Sequence, residues 1–239
     1  MKKAGKRGFS LVELLVLIAV VAILSGIVVT ALGNVRMQAE KSGCVSNMRQ
    51  LGMALLMHAN QNGGMLPGTA HEMRQNSWIL SLAEFLEDVD AVRISPADPL
   101  AEQRLQATTG TSYVANDLVF SLGERYDHRG RLLPNEPGQG SLVTLEHPEE
   151  TFLLFVGSER RGDDISNDHT HATFWGGNWR AFTNDVMPDI FRTGERDRHR
   201  TRGSSNYLYA DGRVETIEAS KVHDWITSGV NIAEPPERR

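Results

Sequence analysis

Between Leu14 and Leu32 only Ser25, Gly26 and Thr30 interrupt an apolar run. At 1.5 Å per helical residue those positions reach roughly 28 Å, about one hydrocarbon core. A chain that begins this way is bound for a membrane. Four cations, Lys2, Lys3, Lys6 and Arg7, precede the run and end at Gly8. Positive charge stays on the cytoplasmic side, so everything after Asn34 is expected outside the bacterial inner membrane after a single pass. The apolar helix begins at Phe9, and its one charge is Glu13. A carboxylate at the centre of a membrane helix costs about 2.5–3.5 kcal/mol, and less near the interface.

Three readings fit this segment. As a secretory signal, Leu14–Leu24 is the apolar stretch and Ala31-Leu32-Gly33 the cleavage site. As a plain anchor it stays uncut. Neither gives Glu13 a purpose. In the third reading the chain is cut between Gly8 and Phe9. The free amine of Phe9 then opposes the helix dipole, whereas a carboxylate in the first turn complements it. Glu13 of one subunit could pair with the Phe9 amine of the next, turning a costly charge into an assembly code.

The string KRGFSLVELLVLIAVVAIL resembles the N-terminal segment of type IV prepilins and type II secretion pseudopilins. That family has a short basic leader ending in Gly, then Phe, a Glu four residues on, and an apolar helix. The resemblance implies cleavage after Gly8 by a prepilin peptidase, methylation of Phe9, and polymerisation through the helix with Glu13 as the assembly residue. It also implies partners: the prepilin peptidase, other pilin or pseudopilin subunits and an inner-membrane assembly platform.

Beyond the membrane run, Cys44/Val45, Met48, Leu51/Gly52, Leu55 and Ala59 recur at three- and four-residue steps. Asn60-Gln61-Asn62-Gly63-Gly64 ends the pattern, with Pro67 beyond. One helix from Phe9 to Ala59 would span roughly 76 Å, its distal half packing on a globular head. A second helix is expected over Ser77–Asp90, with Trp78, Leu82, Phe85, Leu86 and Val89 on one face. Short β-like runs lie at Ser112–Ala115, Leu142–Leu145 and Thr151–Val156. The strongest hairpin signal is Asn206–Ile217, with Asp211-Gly212 as a two-residue turn. That register sets Tyr209 opposite Val214, Tyr207 opposite Thr216 and Leu208 opposite Glu215. A short helix is expected over Ser220–Gly229.

His199, Asn206-Tyr207-Leu208 and Ala210-Asp211-Gly212 are similar to the C-terminal motif of a pilin-like family common in planctomycete and verrucomicrobial genomes. In that motif nine residues separate the His from Asp-Gly; here 11 lie between His199 and Asp211. The Pro96-Ala97-Asp98 turn is also similar, although Ser95 stands where relatives often carry Cys. Cys44 is the one cysteine in the chain, so no intramolecular disulfide forms. A small buried residue and a bridge between subunits are its two readings.

Composition argues against nucleic acid. The formal charge of −5 becomes −9 once the four leader cations are gone, and phosphate contacts need clustered cations. For metal binding, Asp163, Asp164, Asp168, His169 and His171 gather in one segment. The two histidines would share a face in a strand, and the carboxylates offer the oxygens that calcium prefers. A polar surface loop is the alternative. Trp175 and Trp179 suggest either glycan stacking or packing under a loop. His199 with Asp211 suggests either an acid–base pair or a hydrogen bond tying a loop to the turn, and no nucleophile motif accompanies them.

The expectation is therefore an α+β, pilin-like protein with a long N-terminal helix packed on a small antiparallel sheet. Residues 1–8 form the leader, 9–33 the membrane and assembly helix, and 34–60 its distal half. Residues 61–234 form a periplasmic or extracellular head, and 235–239 a tail. Its role is structural, as a subunit of a pilus or secretion pseudopilus without enzymatic activity. The rivals are a membrane-anchored exported module that binds a glycan or metal without polymerising, and an anchored hydrolase.

Overall fold

A computed structural model describes residues 10–69, 77–107, 110–120, 125–126, 132–133, 140–161 and 168–236. Helix α1 runs Leu11–Gln61. The chain divides into two compact units, Met1–Ala39 and Glu40–Arg239. In the first, every described side chain from Ser10 to Val28 is exposed. Leu11 is 80% and Ile23 66% exposed, the reverse of how a water-soluble helix places such residues. α1 is the one described helix long and apolar enough to cross a membrane.

In the second unit the rest of α1 is amphipathic. Cys44, Met48, Leu51, Gly52, Leu55 and Ala59 are buried, as their spacing predicts. Gly63 (φ +64°) and Gly64 (φ +93°) take the chain out of the helix. The Gly64 N–H donates to the Ala59 carbonyl at 2.7 Å and satisfies one of the last helical acceptors.

The helix packs on a four-stranded antiparallel sheet ordered β1-β4-β5-β6. The strands are β1 Tyr113–Ala115, β4 Phe152–Val156, β5 Ser204–Tyr209 and β6 Val214–Glu218. A separate pair, β2 Arg125–Tyr126 and β3 Leu132–Leu133, stands apart. Alternation sorts the sheet residues onto two faces. Tyr113 meets Cys44 at 3.7 Å, the Asn206 amide donates to the Lys41 carbonyl at 3.4 Å, and Leu208 lies over Gly52. A Cβ at position 52 would stand 3.0 Å from Leu208 Cδ1, so glycine sets the closeness of helix and sheet. Val114, Phe155, Tyr207 and Tyr209 face the other way. There they pack with Trp175, Phe182, Val222 and Ile226 from the second helical layer.

The short helices are α2 Val89–Arg93, α3 Ala101–Gln106, α4 Asp117–Phe120, α5 Trp179–Asp185 and α6 Ala219–Thr227. α6 matches the expected C-terminal helix within its ends. The helix expected over Ser77–Asp90 is instead a 3-10 helix, Leu80–Phe85, followed by α2. Leu86 is extended, and the Asp88 carboxylate accepts from the Asp90 and Ala91 N–H groups. That cap starts a new helix and outweighs the continuous apolar face.

Leu142–Leu145 is also not a strand. The Thr144 hydroxyl donates to the Ser141 carbonyl at 3.1 Å and closes a turn, leaving only an isolated bridge from Ser141 to Met65. The β5–β6 hairpin forms, but one residue away from the expected register. Tyr207 pairs with Glu215, Leu208 with Val214, and Asn206 with Thr216. Ala210, Asp211 and Gly212 make a three-residue loop, closed by Gly212 N–H to Tyr209 O at 3.0 Å and Tyr209 N–H to Arg213 O at 2.8 Å. Gly212, at φ +86°, takes the left-handed place that such loops require. The slip reassigns the faces of β6 and lets the Thr216 hydroxyl donate to the Asn206 side chain at 2.7 Å.

Candidate functional site

Two regions carry the candidate residues. At the start of α1, Ser10 caps the helix. Its backbone N–H donates to Glu13 Oε2 at 2.8 Å, and its hydroxyl accepts from the Glu13 N–H at 3.2 Å. These reciprocal bonds form a capping box and satisfy two donors that a helix start leaves unpaired. Glu13 is exposed at the head of the apolar surface, and its carboxylate complements the positive end of the helix dipole. Gly8 and Phe9 lie outside the described residues. Ser10 is the residue of this site that the sequence expectations leave out, and its signal was the Ser-x-x-Glu spacing.

In the head, the segment expected to hold a metal is built around a guanidinium. Arg161 forms an ion pair with Asp185 and donates to the His169 carbonyl at 2.5 Å. Asp185 also accepts from Trp175 Nε1 at 2.9 Å and from the His171 N–H at 2.8 Å. Burial raises the Asp185 carboxyl, but the His171 and Trp175 donors and the Arg161 charge outweigh it and hold it below the usual range. Asp168 accepts from the Ser77 hydroxyl at 2.5 Å and meets His169 Nδ1 at 2.8 Å. The rings of His169 and His171 lie side by side, 5.1 Å apart, in line with their two-residue spacing. Asp163 and Asp164 are outside the described residues. Among the described residues no group of three metal-binding side chains converges. The nearby Asp117 carboxyl is raised by burial, although the Thr170 hydroxyl and the Ala172 N–H both donate to it.

Trp175 is buried in the core, edge-on to Phe155 and Phe182. Trp179 stacks on Phe182 at 5.2 Å and donates its Nε1–H to the His199 carbonyl at 2.6 Å. Trp175 therefore packs inside the core, whereas Trp179 is half-buried and lines an open cleft beside Arg180 and His199. His199 precedes β5 and Asp211 follows it, so a six-residue strand separates the two. Asp211 caps its own turn, accepting from the Arg213 N–H at 2.9 Å. The structure brings these two residues together neither as an acid–base pair nor as a tie from loop to turn.

One family model matches, the prokaryotic N-terminal methylation motif, over residues 3–29. No curated protein and no solved structure matches the chain. The chain thus carries a prepilin-type cleavage and methylation segment ahead of a pilin-like α+β architecture, a long helix on a small antiparallel sheet.

Proposed function

We propose that this chain is a structural subunit of a pilus or a type II secretion pseudopilus. It is cut after Gly8, methylated at Phe9 and held in the inner membrane by the apolar part of α1 until it assembles. The prepilin peptidase, sibling subunits and an inner-membrane assembly platform are the partners this requires. The reading assigns no catalysis to the head.

One observation carries it. The apolar surface from Leu11 to Val28 is exposed, has Glu13 as its single charge, and lies within the matched methylation motif. A bare anchor would be served as well by an uncharged residue at position 13. An acid in the first turn is explained when a neighbouring subunit supplies a cationic amine. Co-expression of an epitope-tagged chain with a prepilin peptidase and an assembly platform, followed by shearing of the cells, tests this. Processed chain in the sheared filament fraction supports the reading, and chain confined to the membrane fraction under assembly conditions removes it.

A further inference from the structure

On the side of the sheet away from α1, a cleft of about 580 Å³ opens beside α5. Arg160, Arg180 and Arg198 line it, with His199 and Trp179. Arg180 and Arg198 are exposed, and Arg160 donates to the Asn184 side chain rather than to a carboxylate. Among the described residues no acid lines this cleft. Among the described residues, the acids next in sequence to the cleft arginines are already committed: Glu159 pairs with Arg196, and Asp197 accepts from the Thr201 N–H at 3.2 Å, while Asp189 holds Arg200 at 2.8 Å. A cationic cleft on a chain of net charge −5 is a local reversal of sign.

The complementary surface lies on the opposite layer. Glu84, Glu87, Asp88 and Asp90 follow one another along the 3-10 helix and α2, and all four are exposed. This strip flanks the distal part of α1. The Phe85 ring packs edge-on to His58, and the Asn47 amide donates to the Ile94 carbonyl at 2.9 Å. Asp90 pairs with Arg93 at 2.6 Å, while Glu84 and Glu87 have no ion-pair partner among the described residues.

We infer that the arginine cleft of one head receives the Glu84–Asp90 strip of a second copy of this chain. Two different patches on opposite layers make a heterologous contact, which repeats from copy to copy without closing on itself. This is the contact an open helical assembly needs between heads. Its exposed charges set register and orientation more than affinity, and the contact weakens as salt rises. The inference rests on the subunit reading proposed above.

Charge exchange in the full chain, co-expressed with the peptidase and platform, tests it. Arg180→Glu with Arg198→Glu lowers sheared filament about tenfold, as expected when several exposed pairs become repulsive together. Adding Glu84→Arg and Glu87→Arg to the same chain restores it. Arg180→Gln with Arg198→Gln gives an intermediate yield and guards against misfolding of the reversal. Membrane-fraction levels equal to the parent show that each variant is made and inserted. Normal filament from the arginine reversal, or a loss that the acidic reversal fails to rescue, overturns the cleft–strip contact while leaving the subunit reading intact. Absence of filament from the parent chain removes both.

Discussion

The Ser10 backbone N–H donates to the Glu13 carboxylate at 2.8 Å, so the one charge of the apolar segment is already occupied within its own helix. Capping and pairing with a neighbour's amine are two separate uses of that carboxylate, and substitutions separate them. Glutamine keeps the acceptor that a capping box needs but has no charge. Glu13→Gln and Glu13→Ala are both expected to insert in the membrane at parental levels, and both to lose filament in the sheared fraction. If Glu13→Gln assembles normally while Glu13→Ala does not, the carboxylate serves the helix start and the charge-pair account fails.

The hairpin loop makes a sharp demand at one position. Gly212 sits at φ +86°, where a side chain costs about 1 kcal/mol or more. Gly212→Ala should therefore lower the unfolding midpoint of the detergent-solubilised chain by several degrees, whereas Ala210→Gly, outside the left-handed region, should cost little. Equal midpoints for Gly212→Ala and the parent would contradict the three-residue loop.

How much of this fold was legible follows from which forces act locally. The distal stripe of α1 reads directly, because burial at 3.6-residue spacing is the whole of its pattern. The β5–β6 hairpin reads as a hairpin, but Asp-Gly suits both the two-residue loop and the left-handed end of the three-residue loop. The choice is made by cross-strand partners such as Asn206 and Thr216, which pair only after folding. Ser77–Asp90 misleads because one capping aspartate, Asp88, outweighs a continuous apolar face. The arginine cleft has no periodicity at all. Arg160, Arg180 and Arg198 come from three segments that tertiary packing alone brings together.

A buried ion pair anchors the loop before β5. Asp189 is fully buried, bonds Arg200 Nε at 3.0 Å and Nη2 at 2.8 Å, and lies 3.1 Å from Arg196 Nε. Removing the acid leaves the buried Arg200 guanidinium without its counter-charge. Asp189→Ala is expected to destabilise the head by about 3–5 kcal/mol, measured by denaturant unfolding of the full chain in detergent. A loss below about 1 kcal/mol, typical of exposed pairs, would show that this network contributes little.

Acid sensitivity follows from Asp185. Its folded carboxyl titrates below the ordinary range despite burial, because His171, Trp175 and Arg161 favour the charged form. A depressed carboxylate contributes stability that is present above the unfolded value of about 3.9 and lost as pH falls through the folded one. The midpoint of the parent chain should drop as pH falls from about 5 towards 2. In Asp185→Asn the midpoint starts lower at neutral pH, and its acid decline is shallower. Parallel curves for the two chains would rule out Asp185 as a source of that decline.

A subunit of this kind loses its first eight residues and is methylated at the new N-terminus before it assembles. Mass spectrometry of the chain, purified from cells that carry a prepilin peptidase, measures this directly. The expected N-terminal peptide begins at Phe9 and carries one added methyl group on its amine. A peptide beginning at Met1 would show that the leader stays on, and one beginning at Asn34 that the segment is a secretory signal; either rules out prepilin-type processing.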